Sequence, residues 1–118
     1  MEKESILLNL PIDFSVKIFE LCKRISGELK ENTMSKQMFR SGTSIGANIH
    51  GAQYGNSKAD FISKLHIALK EANETKYWLL LLNKINYINN DEFAVISNDC
   101  EKIKAMLIKS LNTAKANK

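Results

Sequence analysis

The segment SKADFISKLHIALKEANETKYWLLLLNKINYI, residues 57–88, decides the fold. Phe61, Leu65, Ala68, Ala72, Thr75, Leu79 and Leu82 alternate steps of four and three, the repeat of one helical face. Ser57 followed by Asp60 is a helix-opening pair of the capping-box type, with Asp in place of the usual Glu. The spacing therefore predicts a helix over residues 58–88. It carries more apolar surface than one core stripe uses. Ile67, Trp78, Leu81, Ile85 and Ile88 make a second stripe, and Tyr77 to Leu82 is apolar nearly all round. A helix that is hydrophobic on several sides is buried on several sides. In so short a chain this points to a subunit interface; a neighbouring helix wrapped around this end is the alternative.

Working outward, the same repeat appears three more times. Met38, Gly42, Ile45, Ile49 and Ala52 mark a helix over 35–55, opened by Thr33 or Ser35 and broken at Gly55-Asn56. Phe14, Ile18, Leu21, Ile25 and Leu29 mark one over 10–30, with Asn9 at its start and Pro11 in its first turn, where no N–H donor is needed. Phe93, Ile96, Cys100, Ile103, Leu107, Leu111 and Ala114 mark one over 91–115. Asp91 and Glu92 suit its positive end, and the closing AKANK is expected to fray. Four amphipathic helices joined by short polar turns form antiparallel neighbours. The expected fold is all-α: an up-down four-helix bundle, a single domain over residues 1–118.

Composition agrees. Of the 118 residues, 44% are hydrophobic and 25% charged, with one proline and five glycines, enough apolar material for a core without disulfides or metal. The two cysteines, Cys22 and Cys100, have no metal-type spacing and fall on apolar stripes, where a free thiol acts as a small hydrophobe. No apolar run approaches the length of a membrane span. The N-terminus lacks the pattern of a signal peptide, so a cytoplasmic protein without a membrane role is expected.

Candidate chemistry is thin. His50 and His66 lack the Glu-x-x-His spacing of di-iron bundles. SGTSIGANIHG has glycines but neither the Gly-Lys-Ser/Thr ending nor the preceding strand of a phosphate-binding loop. Glu71 and Glu74 share a face with Trp78; such pairs more often meet Lys or Arg from another helix than do acid–base work. No enzyme, metal or cofactor is expected. The 35–55 helix is instead unusual for its small residues. Ser41, Ser44, Asn48, Gly51 and Gly55 recur on one face, which lets another backbone approach closely, and Asn48 can fix register by hydrogen bonding. With the apolar surface of residues 77–82, this nominates Ser44, Asn48, Gly51, Tyr77, Trp78 and Leu81 for an oligomer interface.

The net charge of +4 and pI near 9.1 permit nucleic-acid binding without requiring it. Lys36, Arg40, Lys58 and Lys64 flank the turns bounding the 35–55 helix and are the candidate contacts to RNA or DNA. No aromatic residues interleave them as a stacking platform, so binding would rely on an oligomer multiplying the patch.

Several segments also carry a family resemblance: MSKQMFR at 34–40, SGTSIGAN at 41–48, Asp60-Phe61, and KEANETKYWL at 70–79. They resemble the bacterial four-helix-bundle family first noted in intervening sequences of large-subunit ribosomal RNA genes, often labelled ribosomal-like. The resemblance covers nearly the whole chain. Its specific parts are Ser44-Ile-x-x-Asn48 and Glu71-x-x-Glu74-Thr75-x-Tyr77-Trp78. Where the family usually has Glu after Asn-Ile-x, this chain has Gly51, so any role of that glutamate is absent. The resemblance implies a homopentameric ring without enzymatic activity. It extends to the accessory protein of diversity-generating retroelements, which implies nucleic acid and a reverse transcriptase as partners. The expected function is a non-enzymatic oligomeric scaffold or adaptor, with a purely structural or protein-interaction module as the alternative.

Overall fold

The computed structural model describes residues 2–117, with side chains from Leu8 onward. Four helices follow one another: α1 (Glu2–Glu28), α2 (Thr33–Ala52), α3 (Lys58–Lys84) and α4 (Asn90–Ala116). Each packs antiparallel on the next, while α1 and α4 meet least. The rod measures 49 × 23 × 22 Å, longer than the roughly 40 Å of a 27-residue helix at about 1.5 Å per residue. No strand occurs among the described residues.

The predicted stripes form the core. Phe14, Ile18 and Ile25 from α1 meet Met38, Ile45 and Ile49 from α2. Leu65, Leu79 and Leu82 from α3 join Ile103 and Leu107 from α4 in the same cluster. Leu29 is the exception: it lies beyond the end of α1 and is exposed.

The helix ends correct the sequence reading in three places. The first is Pro11, which does not open α1 but lies buried inside it, the helix starting at Glu2. An interior proline forfeits one backbone hydrogen bond and crowds the preceding turn. Here its ring packs inside the bundle, facing Gly46 of α2, where a side chain would come within 3.4 Å of Pro11 Cβ. The second is the start of α2, where neither Thr33 nor Ser35 is the cap: Thr33 is the first helical residue, and Ser35 Oγ donates back to Glu31 O. Asn32, at the cap position, makes no capping bond. The Glu31 carboxylate instead accepts from the N–H groups of Met34 and Ser35, at 2.8 and 3.1 Å. The third is the end of α3, four residues before the expected 88. Asn86 adopts left-handed backbone at φ 65°, a conformation Asn tolerates and most residues avoid. The chain then folds back, with Tyr87 N–H donating to Leu82 O and Ile88 buried against the core.

The Ser57–Asp60 opening holds as read, Ser57 Oγ accepting from Asp60 N–H at 3.1 Å. At α4 the cap is Asn89, whose Oδ1 accepts from Glu92 N–H at 2.8 Å. The C-terminal segment is helical to Ala116, so fraying does not reach the AKA of AKANK.

Candidate interaction surfaces

The small residues of α2 sit mainly against helices of their own chain. Gly42 faces Ile18 of α1, Gly46 faces Pro11, and the methylenes of Lys64 cover Gly51. The hydroxyls of Ser41 and Thr75 lie 2.9 Å apart in the α2–α3 seam, where Thr75 also reaches Glu71 O. Ser44 Oγ donates to Arg40 O and Asn48 Nδ2 to Ser44 O, both half-buried along α2. Of the residues nominated on α3, Trp78 and Leu81 are half-buried and Tyr77 is 58% exposed. The Trp78 indole N–H is buried yet finds no acceptor among the described residues. Leu80, not nominated from sequence, is 45% exposed beside Tyr77.

The four basic candidates divide. Arg40 donates to Glu71 Oε2 at 3.0 Å and also to Glu74. The two glutamates thus join an interhelical ion-pair network, the structural reading of their spacing. Lys64 pairs with Asp60 at 3.1 Å. Lys36 and Lys58 are exposed, but they sit near opposite ends of α2, separated by about 25 Å of helix at ~1.5 Å per residue. Within one chain, then, the four do not form a single patch.

Other ion pairs bind helix to helix. Lys17–Asp99 (2.6 Å) and Arg24–Glu92 (2.5 Å) bridge α1 and α4. Lys76–Glu101 (2.7 Å) bridges α3 and α4. The Lys76 hydrogen bond, aided by the Lys76 and Lys104 charges, holds the Glu101 carboxyl below its ordinary range. Burial raises both thiols, Cys22 to about 12 and Cys100 to about 11. A raised thiol pKa suppresses the thiolate and with it nucleophilic or redox chemistry. No cluster of three or more His, Cys, Asp or Glu side chains placed to hold a metal occurs among the described residues. Among the described residues, no helix is long and apolar enough to cross a membrane.

A further exposed apolar surface lies where the sequence reading did not look, on the α1–α2 face. Ile12, Val16, Phe19 and Phe39 are each between 41% and 51% exposed. The rings of Phe19 and Phe39 meet edge to face at 6.2 Å. Beside them Thr43, Gly46, Ala47 and His50 of α2 form the low side of a groove of about 530 Å³. The signal was present: residues 12, 16 and 19 repeat at helical spacing, offset from the stripe at 14, 18, 21 and 25.

Fold and surfaces together define an all-α four-helix bundle with exposed apolar faces. The chain belongs to the 23S rRNA-intervening sequence protein family, whose model matches residues 3–109. It is similar to a crystal structure from Bacteroides thetaiotaomicron VPI-5482, described as a protein with unknown function from the S23 ribosomal protein family. The two share 48% identity at a TM-score of 0.91, over 93% of this chain and 98% of the other. No curated protein gives a significant match. The family description and the crystal structure's description name no catalytic activity.

Proposed function

We propose that this chain is a non-enzymatic scaffold that assembles with copies of itself and offers docking faces to other macromolecules. The observation that supports it is apolar surface left outside at helical spacing. Tyr77 and Leu80 protrude from α3, while Ile12, Val16, Phe19 and Phe39 line the α1–α2 face. Monomeric proteins rarely leave contiguous apolar surface without an interaction to make. Self-assembly is assigned to the outer surface of α3, with Trp78 and Leu81 at its base and Ser44 and Asn48 on the adjoining helix; Gly51, under Lys64, is left out. The pentameric number and the ring come from family resemblance alone. The test is light scattering of the native protein and of a Tyr77→Asp, Leu80→Asp variant. An oligomer that dissociates in the variant supports the reading, and a native monomer defeats it.

A nucleic-acid role is the second reading, favoured by the net charge of +4 and the exposure of Lys36 and Lys58. It is weakened by the carboxylates that occupy Arg40 and Lys64. Reversing charge at Arg40 would set a third carboxylate beside Glu71 and Glu74, so it would test stability rather than binding. Lys36→Glu with Lys58→Glu tests binding cleanly. A reverse transcriptase as partner is a proposal resting on the resemblance.

A further inference from the structure

The α1–α2 groove, closed at one end by His50 beside Ile12, does not end at Phe19. A second hollow, of about 420 Å³, shares Phe19 with the first, is lined also by Phe39, and continues along the seam past Cys22 to Asn32. From Ile12 to Ser26 the combined groove follows α1 for about 21 Å at ~1.5 Å per residue, room for some four turns of a docked helix. The α1 wall is a ridge of Ile12, Val16 and Phe19, and the α2 wall is low along Thr43, Gly46 and Ala47. A ridge beside a small-residue valley is the relief into which another helix packs.

The electrostatics select the occupant. Among the described residues, neither stretch of the groove is lined by a carboxylate. Its titratable or charged lining consists of Lys23 and Lys36 flanking the phenylalanine pair, His50 at the far end, and the buried Cys22 thiol. The hollow between α1 and α4 contrasts sharply, holding Lys17 and Arg24 together with Glu20, Asp91 and Glu92. An apolar floor with a basic rim complements an amphipathic helix bearing acidic flanks. The floor is too apolar to track a phosphate backbone along its length.

We infer that the α1–α2 groove docks an acidic amphipathic helix of a partner protein, its apolar stripe over Ile12, Val16, Phe19 and Phe39 and its carboxylates toward Lys23 and Lys36. This rests on the scaffold reading and names the partner chemistry of one of its faces. The experiment titrates the full chain with three fluorescent probes. They are a helical peptide with Leu at helical spacing and Glu elsewhere, its counterpart with Lys for Glu, and a single-stranded oligouridylate. Two exposed-surface variants are run beside the native protein: Phe19→Ser with Val16→Ser, and Lys23→Glu with Lys36→Glu.

The acidic peptide should bind and the basic one should not, and each variant should weaken binding by roughly tenfold or more. Circular dichroism confirms that both variants fold. Equal binding of the two peptides, no binding of the acidic one, or retention of binding in folded variants overturns the inference. So does preference for oligouridylate over the acidic peptide. A fall in native oligomer mass on Val16→Ser with Phe19→Ser also overturns it, by showing that a second copy fills the groove. Because the scaffold reading is tested at Tyr77 and Leu80, a monomeric native protein fails that reading separately.

Discussion

Gly42 of α2 lies so close to Ile18 of α1 that a Cβ on it would fall 2.9 Å from Ile18 Cγ2 and 3.3 Å from its Cβ. Ile18 is fully buried and β-branched, so it has little freedom to yield. The α1–α2 separation is therefore set by the absence of a side chain at one position.

Gly42→Ala should accordingly destabilise the protein, since overpacking a core costs about 1–3 kcal/mol against a helix-propensity gain of about 1 kcal/mol. Gly46→Ala should do the opposite. Its Cβ would meet Pro11 at 3.4 Å, an ordinary contact, leaving the propensity gain of up to about 1 kcal/mol. Urea unfolding of the two variants checks the contrast. Equal effects would show that close approach does not set the α1–α2 spacing.

Arg40→Ala should destabilise by about 1–3 kcal/mol, because it leaves the Glu71 carboxylate buried at 7% exposure without its cation. The lower half of that range is favoured, since half of the Arg40 side chain already faces solvent. Arg40→Ala with Glu71→Gln should recover part of the loss. Chemical denaturation of the single and double variants measures the coupling.

The two thiols should resist labelling by an aromatic disulfide reagent at about pH 8 and react fully once the chain is unfolded in denaturant. Burial raises them to about 12 and 11 from an ordinary value near 9. The neutral thiol is thus the form the folded state keeps. Its stability contribution is fully present below about pH 9 and is lost as pH climbs toward 11 and 12. The stability difference between the native protein and a Cys22→Ala, Cys100→Ala variant should therefore shrink above pH 9. A difference constant to pH 11 would contradict this placement of the thiols.

The core was legible because helical periodicity and burial report the same physics. Ile18, Met38, Leu79 and Leu107 fall on their predicted faces and are all fully buried. Helix ends were less legible where tertiary contacts overrode local signals. Pro11 reads as a helix start, yet its ring packs against a glycine far along the chain. Asn86 reads as part of the last helical turn, yet it turns left-handed and Ile88 returns to the core. On α2 the close approach of another helix falls at Gly42 and Gly46, one step off the stripe of Ser44, Asn48 and Gly51 that the spacing singled out, and spacing carries no information on whether a neighbour belongs to the same chain. Charge was the least legible. Lys36 and Arg40 look alike in the sequence, and only the fold brings Glu71 and Glu74 to one of them.

The central claim, that exposed apolar faces make this chain an assembling scaffold, is tested most directly by its mass in solution. Light scattering at micromolar concentration should give an integer multiple of 13.4 kDa, fivefold if the family resemblance extends to the ring. It should also give a lower multiple for Tyr77→Asp with Leu80→Asp, at unchanged helical content. A native mass of 13.4 kDa would contradict the account.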